Sequence, residues 1–408
     1  MKQRFSLACA LIALLMPAFA SAAGLQDGDR VAIVGDSITE QKLYSLYIED
    51  YLLMCKPKQN LQTMQFGWGG ETSWGFFARM GNDLLPYKAT AATTCFGMND
   101  GGYGPLKDEV RQRYADSMDK IVAGMKDAGV RFIVVGSPGA VDSTSFKVLG
   151  TKPDVYNKTL AELAEVARSV AEKHGAAFAD VHGVMMDVMA SAKAKYGADY
   201  FVAGADGVHP GPNGHLIMAY AFLKGLGCDG NIGEIAVDVK SGKATASEGH
   251  KVVSSSNGSA EIESSRYPFC FTSDELLKMA ELFPFNQDLN RLTLKVAGAG
   301  SERLKVTWGE ESKTFAAKDL EAGINLAAEF PKNPFVEPFK RSEAAIRAQQ
   351  EFETPMIKTL YHKPVAAGHE QKPEQERAEA RAKQQELAVA AAQSVATVKH
   401  TIKIEAMQ

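Results

Sequence analysis

The sequence predicts a three-layer α/β domain, followed by a β-containing appendage and a charged helix, and three observations carry that reading. Between Arg30 and Cys228 short apolar runs alternate with amphipathic ones, as in βα units that build a parallel sheet. Inside the amphipathic runs the apolar residues recur at helical spacing. Beyond Cys228 the texture changes: Gly, Ser, Lys and Glu dominate up to Ser265 and no period is sustained.

Five strands are expected, at Arg30 to Val34, Leu61 to Phe66, Ala91 to Phe96, Arg131 to Gly136 and Ala177 to Val181. Val110, Tyr114, Met118, Ile121 and Met125 share one helical face between the third and fourth, and Leu160, Leu163, Val166 and Val170 do so between the fourth and fifth. His215 to Leu226 is apolar nearly all round, as a helix buried against the sheet would be. Right-handed crossovers then gather the strand C-terminal ends on one edge, where loops collect and ligands bind. Further on, 229–265 reads as surface loop and edge strand. Leu292 to Val296 and Leu304 to Trp308 alternate with polar residues around Gly298-Ala299-Gly300-Ser301 and read as a hairpin. From Glu370 to Gln393 the composition is that of a charged helix with a solvated face. Val398, His400, Ile402 and Ile404 alternate and can add a last strand. The expected divisions are 1–23 as a signal segment, 24–228 as the α/β domain, 229–340 as the appendage and 341–408 as a helical tail with a possible final strand.

Composition narrows the function. The chain is 45% hydrophobic and 23% charged, a balance that supports a packed core, and its net charge of −4 offers no basic field to follow a phosphate backbone. Nucleic acid is not an expected partner. Lys2 and Arg4 precede an apolar stretch that ends in Ala18-Phe19-Ala20-Ser21-Ala22-Ala23, the pattern of a cleaved secretory signal. The stretch is short for a bilayer, and no later segment approaches the ~20 uncharged residues that a span needs. A periplasmic or secreted protein without an integral span is expected. Past the signal, Cys55, Cys95, Cys228 and Cys270 are widely spaced with no CxxC, so no zinc knuckle is indicated. Cys95 lies in an apolar run and reads as a buried thiol.

Four loops on the ligand edge carry the chemistry. The first strand runs into Gly35-Asp36-Ser37-Ile38-Thr39, which places Ser37 at a strand-to-helix turn. After the second strand comes Gly67-Trp68-Gly69-Gly70-Glu71-Thr72-Ser73, where glycine lets a backbone N–H approach a substrate. After the third comes Gly97-Met98-Asn99-Asp100, with a neutral amide donor. After the fifth strand and a helix comes Asp206-Gly207-Val208-His209-Pro210, a carboxylate and an imidazole three residues apart. Singly these have plainer explanations, as helix caps and turns. Together they supply every role in acyl transfer: His209 takes a proton from Ser37, Asp206 fixes the imidazole, and Gly70 and Asn99 donate to an oxyanion.

The four blocks, in this order, resemble those of the GDSL, or SGNH, hydrolases. The resemblance covers about Arg30 to Gly227, roughly half of the chain. It implies a flavodoxin-like five-stranded sheet, no metal and no cofactor. It also implies Ser37 as nucleophile, Asp206 and His209 as its triad partners, and the Ser37 N–H, Gly70 and Asn99 as the oxyanion hole. Gly70 is preferred to Gly69 because the family's glycine commonly precedes an acid–Thr pair, here Glu71-Thr72.

The expected protein is therefore a secreted serine esterase that forms an acyl-enzyme on Ser37. Trp68, Trp74 and Tyr103 stand beside the second and third blocks as candidate substrate-binding aromatics, able to stack on a sugar or wall an acyl site, or simply to pack the loops. Exported proteins of this arrangement often look like carbohydrate esterases that remove acetyl groups, so the substrate is expected to be an acetyl ester on a glycan or small molecule. The alternatives are a lipase, lysophospholipase or thioesterase acting on longer chains, and a catalytically inactive glycan-binding protein. A metallohydrolase ranks third, because the eight histidines include no HExxH. His182 is expected to be a satisfied structural histidine and His215 a helix-start residue.

Overall fold

A computed structural model of the chain describes residues 24–362 and 374–407. The expected signal segment lies outside the described residues. Five strands, β1 (Arg30–Gly35), β2 (Gln62–Gln65), β3 (Ala91–Cys95), β4 (Phe132–Gly136) and β5 (Ala177–Ala179), form one parallel sheet in the order β2-β1-β3-β4-β5. Val31 to Val34 are fully buried, as suits a central strand covered by helices on both faces. Helices Asp108–Asp127 and Pro153–His174 follow the expected apolar faces, and Pro212–Gly225 is buried along most of its length. The α/β expectation therefore holds, with strand ends differing by one or two residues. In this order the chain reverses direction across the sheet between β1 and β3, the arrangement that opens a crevice at their C-terminal ends.

The C-terminal half holds more strand than the sequence suggested. β6 (Asn231–Asp238), β7 (Lys243–Ala246), β8 (His250–Ser256) and β9 (Ser259–Ser264) occupy the stretch expected to be surface loop and edge strand. β7 and β8 expose much of one face to solvent, so Lys, Ser and Glu mask the alternation there. β10 (Arg291–Ala297) and β11 (Arg303–Trp308) form where expected, but not as a hairpin. β10 runs parallel to β6 in a four-stranded sheet, whereas β11 turns through Gly309 and pairs antiparallel with β12 (Glu311–Ala316) in another. β13 (Ile324–Asn325) closes the four-stranded sheet. β14 (Val398–Ala406), the expected last strand, lies at the centre of the second sheet between β11 and β9.

A buried chain of hydrogen bonds joins the strands of that second sheet. Trp308 Nε1 donates to His400 Nδ1 (3.0 Å), which leaves the His400 Nε2–H facing Ser264 Oγ (2.9 Å). The Ser264 hydroxyl then faces His250 Nδ1 (2.8 Å), and the other nitrogen of His250 faces the Ile232 carbonyl on β6 (3.2 Å). One direction of donation satisfies all four residues with both imidazoles neutral. Burial pushes both histidines below their ordinary value.

Helix Val336–Met356 crosses back onto the α/β domain and covers the free edge of β2. Gln349 Nε2 donates to the Thr63 carbonyl (3.2 Å) and Glu353 Oε2 accepts the Gln65 N–H (3.0 Å), so the edge strand's outward groups are capped by side chains instead of by another strand. Gln350 donates to the buried Glu49 (2.7 Å). Helix Glu374–Ser394 then packs on Val336–Met356, burying Ala380, Gln384 and Ala391, with Gln384 Nε2 on Glu353 Oε1 (2.9 Å). The charged helix thus has one packed side as well as a solvated face. All four described cysteines are buried free thiols.

Candidate active site

Ser37 opens a four-residue helix, Ser37–Glu40, directly after β1. The turn is tight because the Asp36 carboxylate caps it, accepting the Ile38 N–H at 2.9 Å. Asp36 is buried, and loss of hydration pushes its pKa up to about 7 in spite of that bond, with the Asp100 charge adding to the rise. Ser37 Oγ stands 2.8 Å from His209 Nε2, although the two are far apart in sequence.

The other ring nitrogen of His209, Nδ1, lies 2.7 Å from Asp206 Oδ2. The remaining oxygen, Oδ1, accepts the N–H groups of Val208 and His209, each at 2.9 Å. Partial burial pushes the Asp206 carboxyl up, and these three donors outweigh it, holding the pKa below the ordinary value. An ionised carboxylate only accepts, so Nδ1 carries the proton and Nε2 presents its lone pair to Ser37. The His209 side chain keeps 38% of its surface exposed, so a substrate can reach the pair.

The loop is held in place by a close backbone approach. A Cβ on Gly204, whose φ is +82°, would lie 1.9 Å from the His209 carbonyl oxygen. From below, Asp142 accepts the Val202 N–H (3.1 Å), and its own N–H donates to the Gly207 carbonyl (2.9 Å). Gln41 bridges the serine helix to the same loop, from Nε2 to the Pro210 carbonyl (3.4 Å) and through Oε1 to His215 Nε2 (3.1 Å). His215 lies in the first turn of its helix, as expected, and accepts the Tyr44 N–H at Nδ1 (3.1 Å). Burial pushes its pKa down to about 3, so it stays neutral and the bridge has a fixed polarity. His182 is likewise satisfied, against the Gly139 carbonyl (3.1 Å).

The second and third blocks meet each other. Asn99 Nδ2 donates to the carbonyl of Glu71 (2.9 Å), the residue after Gly70, while Asn99 Oδ1 accepts the Tyr103 hydroxyl (2.9 Å). That leaves one Asn99 N–H without an acceptor among the described residues. Gly70 is exposed at φ +73° with open space where a Cβ would stand, and its N–H meets no acceptor among the described residues. Trp68 N–H lies 3.2 Å from both the Gly35 and Asp36 carbonyls, which sets this loop against the Ser37 turn. Asp100, which sequence reasoning assigned no role, is the brace: it accepts from the Ser73 N–H (2.9 Å), the Ser73 hydroxyl (2.5 Å) and the Gly97 N–H (3.0 Å). Burial pushes its pKa up to about 6 against those donors. Its signal was present in the sequence only as the neighbour of Asn99.

The three aromatics are placed differently from one another. Tyr103 stacks on Tyr156 (ring centroids 5.1 Å apart) and holds Asn99. Trp74 lies under the Arg113 guanidinium (3.8 Å). Trp68 is ringed by Arg79 (4.9 Å), Lys358 (4.6 Å) and the His362 ring (4.6 Å), the last two from the segment after helix Val336–Met356. Among the described residues no group of three His, Cys, Asp or Glu side chains is placed to hold a metal ion.

Residues 33–217 match the model of the GDSL-like Lipase/Acylhydrolase family. An acetylxylan esterase of Geobacillus stearothermophilus is 24% identical over 221 residues, covering 49% of this chain and 94% of that protein. A crystal structure of an acetylxylan esterase from the same organism superposes on 50% of this chain and 97% of its own, at 21% identity and a TM-score of 0.42. A gut microbial diltiazem-metabolizing enzyme shares the fold more widely: 95% of this chain and 100% of that one superpose at 21% identity, with a TM-score of 0.74.

Proposed function

The α/β domain of this chain belongs to the GDSL/SGNH serine ester hydrolases, and from that premise we propose an exported esterase that removes acetyl groups from carbohydrate through an acyl-enzyme on Ser37. The observation that carries the site assignment is the unbroken run Asp206, His209, Ser37, with contacts of 2.7 and 2.8 Å. As Ser37 Oγ attacks the ester carbonyl, its proton passes to His209 Nε2, and the imidazolium that forms is stabilised by Asp206. The charge that develops on the carbonyl oxygen is received by the N–H groups of Ser37 and Gly70 and by the uncommitted N–H of Asn99. His209 then gives its proton to the leaving alcohol. A water activated by the same nitrogen releases the acid and regenerates the serine.

The acetylxylan esterase relative supports an acetyl group on a sugar. Export rests on the N-terminal sequence pattern. Among the described residues no helix is long and apolar enough to cross a membrane. The test is acetate release from acetylated xylan, pectin and sialic acid fragments, with diltiazem included because of the neighbour that shares the whole-chain fold, and with Ser37→Ala as control. A chain-length series of aryl esters accompanies it. Sharp loss beyond propionyl supports the proposal, whereas peak activity at eight carbons or more assigns the chain to the long-chain esterases instead.

A further inference from the structure

We propose that the segment 336–362, which lies outside the matched domain, completes the catalytic apparatus, with Lys358 acting through Glu40 as a positioning residue for the Gly70 loop. The proposal rests on the reading of Ser37 and Gly70 given above. Glu40 closes the short helix that Ser37 opens. One of its carboxylate oxygens accepts the Gly69 N–H and the other receives Lys358 Nζ. A single half-buried carboxylate therefore ties the nucleophile's helix to the residue before Gly70, and the C-terminal segment supplies its counter-charge. Lys42, whose Nζ donates to the Glu40 carbonyl (2.9 Å), is a second cation nearby; without Lys358 the carboxylate gains by turning toward Lys42 and water, and the Gly69 N–H loses the acceptor that sets the loop.

The same segment grips the other end of the loop. The Lys358 ammonium also lies over the Trp68 ring, and His362 Nδ1 lies 3.4 Å from Asp83 Oδ2. Asp83 holds Arg79 (3.1 Å), and Arg79 binds Glu71 Oε2 (2.6 Å), whose carbonyl receives Asn99. Helix Val336–Met356 fixes the origin of these contacts on β2. Its Glu353 takes the Gln65 N–H, and the Gln65 side chain accepts the Gly67 N–H at the loop's start (2.9 Å). Two of the three expected oxyanion donors are thus linked to the C-terminal segment, Gly70 through Gly69 and Glu40 and Asn99 through Glu71, Arg79 and Asp83. Misplacing a reacting geometry by about 1 Å costs on the order of 10²-fold, so a loosened loop is expected to cost about tenfold.

The experiment measures kcat and KM on an aryl acetate for Lys358→Met, Lys358→Arg, Glu40→Gln and the Lys358→Met/Glu40→Gln pair, with melting curves for each. The expected result is about a tenfold lower kcat for Lys358→Met at nearly unchanged KM and recovery of most of the rate in Lys358→Arg. The double variant should be no slower than Glu40→Gln. A wild-type kcat for Lys358→Met, or losses that multiply in the double variant, overturns the proposal. If Lys358→Met does not fold, a wild-type kcat for Glu40→Gln overturns it equally. Ser37→Ala separates the two readings: its inactivity upholds the active site whatever Lys358 does, and its retained activity sinks the site itself.

Discussion

Replacing Asn99 by Ala separates its proposed oxyanion role from its part in the fold. The side chain makes two hydrogen bonds within the protein, to the Glu71 carbonyl and from the Tyr103 hydroxyl, both at 2.9 Å and half-buried. Each contributes about 1 kcal/mol, so their loss lowers the melting temperature by only a few degrees or so in a domain this size. The third interaction, proposed from the remaining N–H to the developing oxyanion, would form only in the transition state. Losing such a donor costs ~2.7–4 kcal/mol of barrier, a drop of about 10² to 10³ in turnover. Steady-state hydrolysis of an aryl acetate, paired with a melting curve, reads both quantities. Asn99→Asp should be at least as slow as Asn99→Ala, because it keeps the acceptor for Tyr103 but brings a negative charge toward the oxyanion. An Asn99→Ala enzyme whose kcat stays within about threefold of wild type refutes the reasoning, because it shows that no N–H of Asn99 supports the oxyanion.

Four further perturbations have expected outcomes. In Asp206→Asn the oxygen remains committed to the Val208 and His209 N–H groups, so the new NH₂ must face His209 Nδ1 and select the wrong tautomer; kcat should fall by ~10³ to 10⁴, and a loss under about tenfold contradicts the proton assignment. Gly204→Ala puts a methyl 1.9 Å from the His209 carbonyl, so esterase rate and melting temperature should fall together, and an unchanged rate would show that the loop tolerates displacement. Ser264→Ala strands His250 Nδ1 and His400 Nε2 in a buried sheet and should cost roughly 2 kcal/mol in denaturant unfolding; an unchanged midpoint would mean that water or rearrangement replaces the hydroxyl. Glu49 and Glu353 are both pushed well above the carboxylate range, chiefly by burial, with the Glu49 charge adding to the rise at Glu353. A carboxyl raised on folding stabilises fully below its unfolded value, near 4.3, and loses that contribution as pH rises through the folded value. The melting temperature should therefore decline as pH rises from about 4.3 to about 8 and level off beyond, and Glu353→Gln should flatten the decline; a slope as steep as wild type would place the titration elsewhere.

Ser37, Gly70 and Asn99 were legible because their loops follow apolar strands of the same sheet, and His209 because its loop follows β5 and one helix. Once the strand ends share an edge, the loops that carry Ser37, Gly70 and Asn99 lie along it, and His209 meets Ser37 at 2.8 Å. Their supports were not legible. Asp100, Asp142 and Gln41 act through backbone groups of loops distant in sequence, and nothing in their local pattern marks them. Lys358 sits past a long intervening stretch, and its partnership with Glu40 exists only because helix Val336–Met356 docks on β2 through polar residues, Gln349, Gln350 and Glu353, that read as surface. The hairpin expectation failed for a related reason. Alternation identifies β10 and β11 as strands, but it does not say that β10 finds β6 and β11 finds β14. Burial decides those pairings, through residues such as Leu292, Leu294, Val306 and Ile402 that face a shared core.

The central claim, that His209 makes Ser37 a nucleophile, is tested most directly by a fluorophosphonate probe followed by peptide mapping. The account predicts one adduct, on Ser37, absent in Ser37→Ala and formed far more slowly in His209→Ala. Labelling of another residue, or labelling of Ser37 that proceeds as fast without the imidazole, contradicts it.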